Sequence, residues 1–210
     1  MKIVSVNVGK PQEKSWQGNI VRTSIFKYPV SDRRWVSFIN IEGDEQADLR
    51  VHGGINKAVY AYDISHYQHW KKIIQRKDWS YGLFGENLTT EGMRDDEVRI
   101  GSIYKAGTVK LQVVQPRFPC LKINIRFELP DMIEQFIEQR RSGIYFRVVE
   151  EGSIQANDAV ILVELSPYEI TVQDFVDCYY SKGRDKTLLQ KILAIPYLTE
   201  SKRKAFESFL

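Results

Sequence analysis

The chain has 210 residues and a net charge of +3 at pH 7, with 43% apolar and 27% charged residues. That balance suits a globular protein with a sizeable core, and it is too weakly basic, with cations too scattered, to mark a nucleic-acid binder. No apolar stretch approaches the roughly 20 residues that span a bilayer. The apolar run within Met1–Asn7 is too short for a secretory signal. Two cysteines far apart, Cys120 and Cys178, suit a reducing compartment. The expected setting is cytoplasmic, with neither membrane nor nucleic acid as partner.

Ile3 to Val8 alternates apolar and polar residues and predicts a strand, ended by Gly9-Lys10-Pro11. Gly18 to Phe26 and Trp35 to Ile39 are rich in β-branched and aromatic residues and predict two more. A polar loop follows, Glu42 to Lys57, in which His52 stands directly before Gly53-Gly54. Adjacent glycines admit positive φ and let backbone amides approach a ligand, and successive amides can cradle an anion. Arg50 and Lys57 add positive charge. An ordinary solvated loop has the same composition. The glycine–lysine–serine/threonine spacing of a triphosphate loop is absent.

Ala58 to Tyr62 predicts a strand, and Asp63 to Gln75 a helix with Ile64, Tyr67, Trp70, Ile73 and Ile74 on one face and Asp63 as N-cap. His66 and His69 lie three apart on it, with no Cys or Glu at metal-site spacing, so they are expected to face solvent or to cap. Tyr81 to Leu88 is a glycine-punctuated loop that sets Glu86 beside Asn87. Glu86 is a candidate to orient a base or donate a proton, and Asn87 offers donor and acceptor. A plain turn would also use Asn87. Gly101 to Ala106 and Thr108 to Gln115 predict a hairpin around Lys105-Ala106-Gly107.

The second arm of that hairpin runs into Val113-Val114-Gln115-Pro116-Arg117-Phe118-Pro119-Cys120. Pro116 ends or edges the strand, and Pro119 restricts its own backbone and that of Phe118. Cys120 is thereby held stiffly, three residues from a guanidinium. Such a neighbour favours the thiolate, which is both nucleophile and soft metal ligand. A buried structural cysteine is the alternative.

Leu129 to Arg141 predicts a helix. Ile144 to Val149 and Ala159 to Leu165 predict strands, joined by a polar turn from Glu150 to Asp158. After Ser166-Pro167 the strand patterns stop. Thr171 to Tyr180, Thr187 to Ile195 and Glu200 to Phe209 predict three short helices, the first with a capping box from Thr171 and Asp174. The expected organisation is a β-rich body, 1–167, and a helical tail, 168–210. Eight or nine short strands and two helices without βαβ alternation predict a mainly β or α+β body: a mixed antiparallel β-barrel. Loops at its mouth, His52 to Lys57, Gly85 to Leu88 and Arg117 to Cys120, are expected to converge on one site.

These segments carry a resemblance. Gly43-Asp44-Glu45-Gln46-Ala47-Asp48 leading to His52-Gly53-Gly54, then Gly85-Glu86-Asn87-Leu88, then Gln115 to Cys120, resemble in order and spacing the MOSC family (molybdenum cofactor sulfurase C-terminal domain). The likeness is to its stand-alone bacterial, YiiM-like subgroup, in which a three-helix appendage similar to this tail is common. The resemblance implies a barrel of the pyruvate-kinase β-barrel type and a link to the molybdenum cofactor, molybdopterin. Cys120 would be the metal ligand and Cys178 would not. It further implies reduction of N-hydroxylated bases to amines, a detoxification. In that reading Cys120, His52 and Glu86 are the catalytic set. Arg117, Lys57, Asn87, Gly53, Gly54 and Gly85 hold cofactor or small-molecule substrate. Two cysteines exclude a four-cysteine iron–sulfur cluster, and no flavin or haem motif is visible, so an electron-donating reductase is the expected partner. A homodimer is compatible with the sequence. The competing readings are a non-redox carrier of sulfur or pterin, with a persulfide on Cys120, and a purely structural module.

Overall fold

A computed structural model describes residues 1–47 and 54–210. In chain order come β1 (Lys2–Val8), β2 (Gln12–Trp16), β3 (Asn19–Thr23), β4 (Tyr28–Val30), β5 (Arg34–Val36) and β6 (Val59–Asp63). Helix α1 (Ile64–Ile73) leads to β7 (Leu88–Glu91), β8 (Ile103–Ala106) and β9 (Val109–Pro116). Helices α2 (Leu121–Phe127) and α3 (Met132–Gln139) precede β10 (Ile144–Glu150), β11 (Gly152–Ile154) and β12 (Val160–Glu164). The tail holds α4 (Val172–Tyr180), α5 (Lys186–Leu193) and α6 (Glu200–Glu207).

Eight strands form one sheet in the order β12-β8-β9-β10-β6-β7-β1-β4, antiparallel except for the parallel pair β6–β7. The hairpin β2–β3 and the pair β5–β11 stand apart from it. The expected barrel is corrected here, because the sheet curls but does not close. One edge of β1 pairs with β7. Its other edge is shared: Val6–Val8 pair with β4, and the start of the strand meets residues 157–160. There Ile3 N donates to the Asp158 carbonyl at 2.9 Å, and Val160 N to that of Met1 at 2.9 Å. Among the described residues, the isolated bridge Lys2↔Ala159 alone links β1 to the residues leading into β12 at the far end of the sheet. With β4 occupying half of the edge, no ladder can run through the seam.

The core has two parts. The larger one lines the sheet with Ile3, Val59, Val113, Phe146 and their neighbours, and it includes Phe175, Leu189, Ile192 and Phe206 from the tail. The tail therefore packs on the same core as the sheet. The smaller part is aromatic: Tyr62, Trp70, Phe84, Phe127 and Phe136 gather between α1, α2 and α3. Trp70 Nε1 donates to the Tyr62 hydroxyl at 2.8 Å, so the one polar handle of the buried indole is satisfied.

Most predicted elements form near their expected bounds. Asp63 caps α1 by accepting from Ser65 N at 2.9 Å. Thr171 and Asp174 make the reciprocal capping box of α4. Five elements lay outside the prediction: the short strands β2, β4, β7 and β11, and helix α2. Helix α2 is seven residues with two β-branched isoleucines, too short to show a helical period. Strand β11 lies in the polar turn after β10 and exists because Gly152–Ile154 find β5 as a partner. No helix among the described residues is long and apolar enough to cross a membrane.

Candidate functional site

Strand β9 ends where Pro116 faces Ile144 of β10. The chain turns with Arg117 N donating to the Gly143 carbonyl at 3.3 Å. Cys120 follows in extended conformation, φ −145° and ψ 170°, as the N-cap residue of α2. Arg117, Phe118 and Cys120 thereby open on one cleft. Three of the predicted binding residues, Lys57, Gly85 and Asn87, line the same cleft. Each of the three loops thus brings at least one residue to the cleft: Lys57; Gly85 and Asn87; Arg117, Phe118 and Cys120. His52 and Gly53 lie outside the described residues. Gly54, at φ 87°, precedes the single 3₁₀ turn Ile55–Lys57 that carries Lys57 to the cleft.

Arg117 is 6% exposed. Its guanidinium lies 5.2 Å from the ring centroid of Tyr60 and 5.6 Å from that of Phe136, cation–π distances. Its Nη1 is buried and has no hydrogen-bond partner among the described residues. Burial works against its charge, but the hydroxyls of Tyr60 and Tyr145, and Cys120 after them, hold its pKa above the usual guanidinium range. Burial drives the phenols of Tyr60 and Tyr145 up, so both stay protonated at ordinary pH. Burial likewise lowers Lys57, and the neighbouring Cys120 partly offsets that. The cleft floor is a fixed positive charge framed by neutral phenols.

Opposite lies a polar group that the sequence reading left off its site. Lys27 and Asp44 form a buried ion pair, 7% and 3% exposed. Asp44 also accepts from Gly9 N at 2.9 Å and from Asn87 Nδ2 at 2.9 Å. Asn87 Oδ1 accepts in turn from Tyr60 N at 3.1 Å. Asn87 thus ties the cleft to β6 as well as lining it. Asp44 sat in view within the Gly43–Asp48 run, whereas nothing in the sequence marked Lys27, Tyr60, Lys122 or Tyr145, all of which line the cleft.

Glu86 is placed differently from its neighbours. It is fully buried and does not line the cleft. Its carboxylate accepts from the Tyr67 hydroxyl, Gly82 N at 2.8 Å, Phe84 N at 3.1 Å and Thr89 Oγ1 at 2.8 Å. Burial pushes its pKa up, and the bonds from Tyr67, Gly82 and Thr89 pull it partly back. Four donors converging on one carboxylate make Glu86 the organiser of the 82–86 turn. That turn needs Gly85: at φ 78°, a Cβ there would meet Ile25 Cγ1 at 2.7 Å.

His66 corrects the expectation of solvent-facing or capping histidines, whereas His69 is half-buried. His66 is 4% exposed, with Nε2 3.2 Å from Asp95 Oδ1 and Nδ1 3.2 Å from Arg141 Nη1. An arginine only donates, so Nδ1 is the acceptor in that contact. His69 Nε2 lies 2.7 Å from Gln139 Oε1. Both line a second, polar cleft away from Cys120. Cys178 is buried in α4, where burial raises its thiol pKa, and it forms no disulfide with Cys120. Among the described residues no three His, Cys, Asp or Glu side chains are grouped to hold a metal ion.

A thiol, a buried guanidinium and a lysine on one cleft, presented by a curled mixed sheet, define a class. The model of the MOSC domain matches residues 48–161, and the chain belongs to that family. Within it the chain is similar to YflK of Bacillus subtilis, 35% identical over 97% of this chain and 92% of that protein. It is 36% identical over 79% of its length to a protein named "Reductase" of Gibberella moniliformis, covering 30% of that protein. The crystal structure of YiiM from Geobacillus stearothermophilus superposes with a TM-score of 0.82 at 34% identity, covering 100% of this chain and 98% of that one. The tail lies beyond the matched domain and within these full-length likenesses.

Proposed function

We propose that the cleft holds a molybdenum–pterin cofactor through Cys120 and reduces N-hydroxylated bases to amines. The residues fit that group. Cys120 supplies the soft sulfur donor such a metal prefers. The buried Nη1 of Arg117 has a hydrogen bond to give and no taker among the described residues, and a buried donor left unmet costs roughly 1–3 kcal/mol. An anionic pterin phosphate would take it, with Lys57 and Lys122 on the same walls. The bound cofactor would supply the two-electron chemistry, while the protein binds and orients. Membership of the MOSC family and likeness to a protein named a reductase support this reading.

The overall change, R–NHOH + 2e⁻ + 2H⁺ → R–NH₂ + H₂O, needs two protons and two electrons. Lys27 and Tyr145 line the cleft and suit proton delivery, and Asp44 pairs with Lys27. Glu86 shapes the wall through its turn. The electrons come from a separate reductase.

The observation that carries the proposal is the shared cleft of Cys120 and the unmatched Arg117 Nη1. Its test is metal analysis after expression in a host that makes the cofactor. Near-stoichiometric molybdenum and pterin fluorescence are expected, both lost in Cys120→Ala with the fold intact. Metal-free protein with a persulfide on Cys120 would instead establish a sulfur carrier.

A further inference from the structure

The second, polar cleft shares no lining residue with that of Cys120. Helix α1, residues 94–96, residues 139–141 and the start of α4 line it. Asp95 is 3% exposed there. Its Oδ2 is occupied, accepting from Ser142 N at 3.1 Å and Gly143 N at 3.0 Å. Its Oδ1 is buried with no hydrogen-bond partner among the described residues. His66 Nε2 stands 3.2 Å from that oxygen, yet the two make no hydrogen bond, and Nε2 is likewise unpartnered. Arg141 Nε is a third buried polar atom without a partner, although Nη1 of the same guanidinium reaches His66 Nδ1. The remaining charges of the cleft do not balance. Arg94 is held by Asp96 at 2.7 Å and Glu97 at 3.6 Å. Arg140 rests on the ring of Tyr180, 4.5 Å from its centroid, which leaves its charge in place. Lys72 stands exposed on the same cleft.

We propose that this second cleft binds a hydrogenphosphate group, an oxyanion that keeps a proton of its own. The site is separate from the cofactor reading and does not rest on it. Its unmet atoms ask for both kinds of hydrogen bond. Arg141 Nε can only donate and would take a phosphate oxygen, whereas the Asp95 carboxylate can only accept and would take the P–OH proton. His66 Nε2, beside Asp95 Oδ1, is within reach of the same guest. Lys72 and Arg140 supply positive charge around it. Sulfate has the same shape but carries no proton at neutral pH. It would set lone pairs against Asp95 Oδ1 and leave that buried acceptor unmet, so the cleft should reject it.

The test titrates inorganic phosphate and, separately, sulfate into the full chain at neutral pH and follows the imidazole signals of His66 and His69 by NMR. Phosphate should shift them saturably, and sulfate should bind at least tenfold more weakly. Arg141→Met and Lys72→Met should each weaken phosphate severalfold. Lys57→Met, which removes a cation of the first cleft, should leave the response unchanged. Asp95→Asn is the decisive variant. Its amide carbonyl can still accept from Ser142 N and Gly143 N, while its amide nitrogen donates where Oδ1 now accepts. The preference for phosphate over sulfate should vanish in it. Glycerol 3-phosphate, titrated in parallel, separates the two sources of such a group. Binding at least as tight as that of phosphate marks a phosphomonoester with a hydroxyl of its own, and exclusion marks free phosphate. The inference is overturned by the absence of a saturable shift, which would leave the three buried atoms to water. Equal binding of sulfate and phosphate by the wild type, or a preference that Asp95→Asn leaves intact, overturns it too.

Discussion

Asp44 shows how much one side chain can hold. It offsets the charge of Lys27 and accepts from Gly9 and Asn87 inside the protein. Removing one partner of a buried pair leaves the other charge without a counterion, a cost of roughly 3–5 kcal/mol. Asp44→Ala is expected to lose about that much in a denaturant titration, and Lys27→Met less, because the carboxylate it strands keeps its hydrogen bonds from Gly9 and Asn87. Lys202 yields a prediction with a sign. Its folded pKa, about 8, lies below the ordinary value of 10.5. Between those two pH values the unfolded chain binds more protons, so stability rises with pH across that window. The groups around the amine are Lys57, Phe118 and Tyr179. The gain in denaturation midpoint from pH 8 to pH 10 should shrink in Lys202→Met. An unchanged slope would show that the lysine is solvated like any other.

At the scale of elements, caps and turns decide how the site is presented. The capping box of α4 satisfies backbone donors at both Thr171 and Asp174. Thr171→Ala should cost ~1 kcal/mol by thermal or chemical unfolding. The turn around Glu86 is more exacting. Gly85→Ala places a Cβ against Ile25 at positive φ, a strain of order 1–3 kcal/mol. Because Gly85 and Ile25 both line the cleft, that variant should lose ligand affinity as well as stability, which distinguishes it from Thr171→Ala. Helix α1 and its histidines hold a different lesson. The apolar face of the helix was readable from spacing, but which polar residue the fold would bury was not. His66 is enclosed because Asp95 and Arg141, distant in sequence, arrive to pair with it.

For the molecule as a whole, the sheet and the tail share one core. Phe118 stacks near Tyr179, with centroids 4.5 Å apart, and Phe175 near Phe206 at 4.9 Å. Cutting the chain after residue 167 would expose the aromatic face that these residues cover and uncover the arm that bears Cys120. The truncated chain is expected to lose near-UV circular dichroism and to bind hydrophobic dyes. A shortened protein with native spectra would mean that the tail is a separable unit.

The sequence by itself determined the strands before and after the site, the helical character of the tail, the arm from Val113 to Cys120 and the family, because these rest on local periodicity, proline chemistry and ordered motifs. Chain-distant pairing was decided only in three dimensions. Whether the sheet closed depended on β4 and residues 157–160 competing for one edge of β1. Whether Glu86 faced ligand or protein depended on four donors meeting it from outside and within its turn. Lys27 and Tyr145 reach the cleft of Cys120 from remote stretches that bear no motif. Spacing along a chain encodes which way a residue points within its own element. Which other element it meets is set by packing a common core.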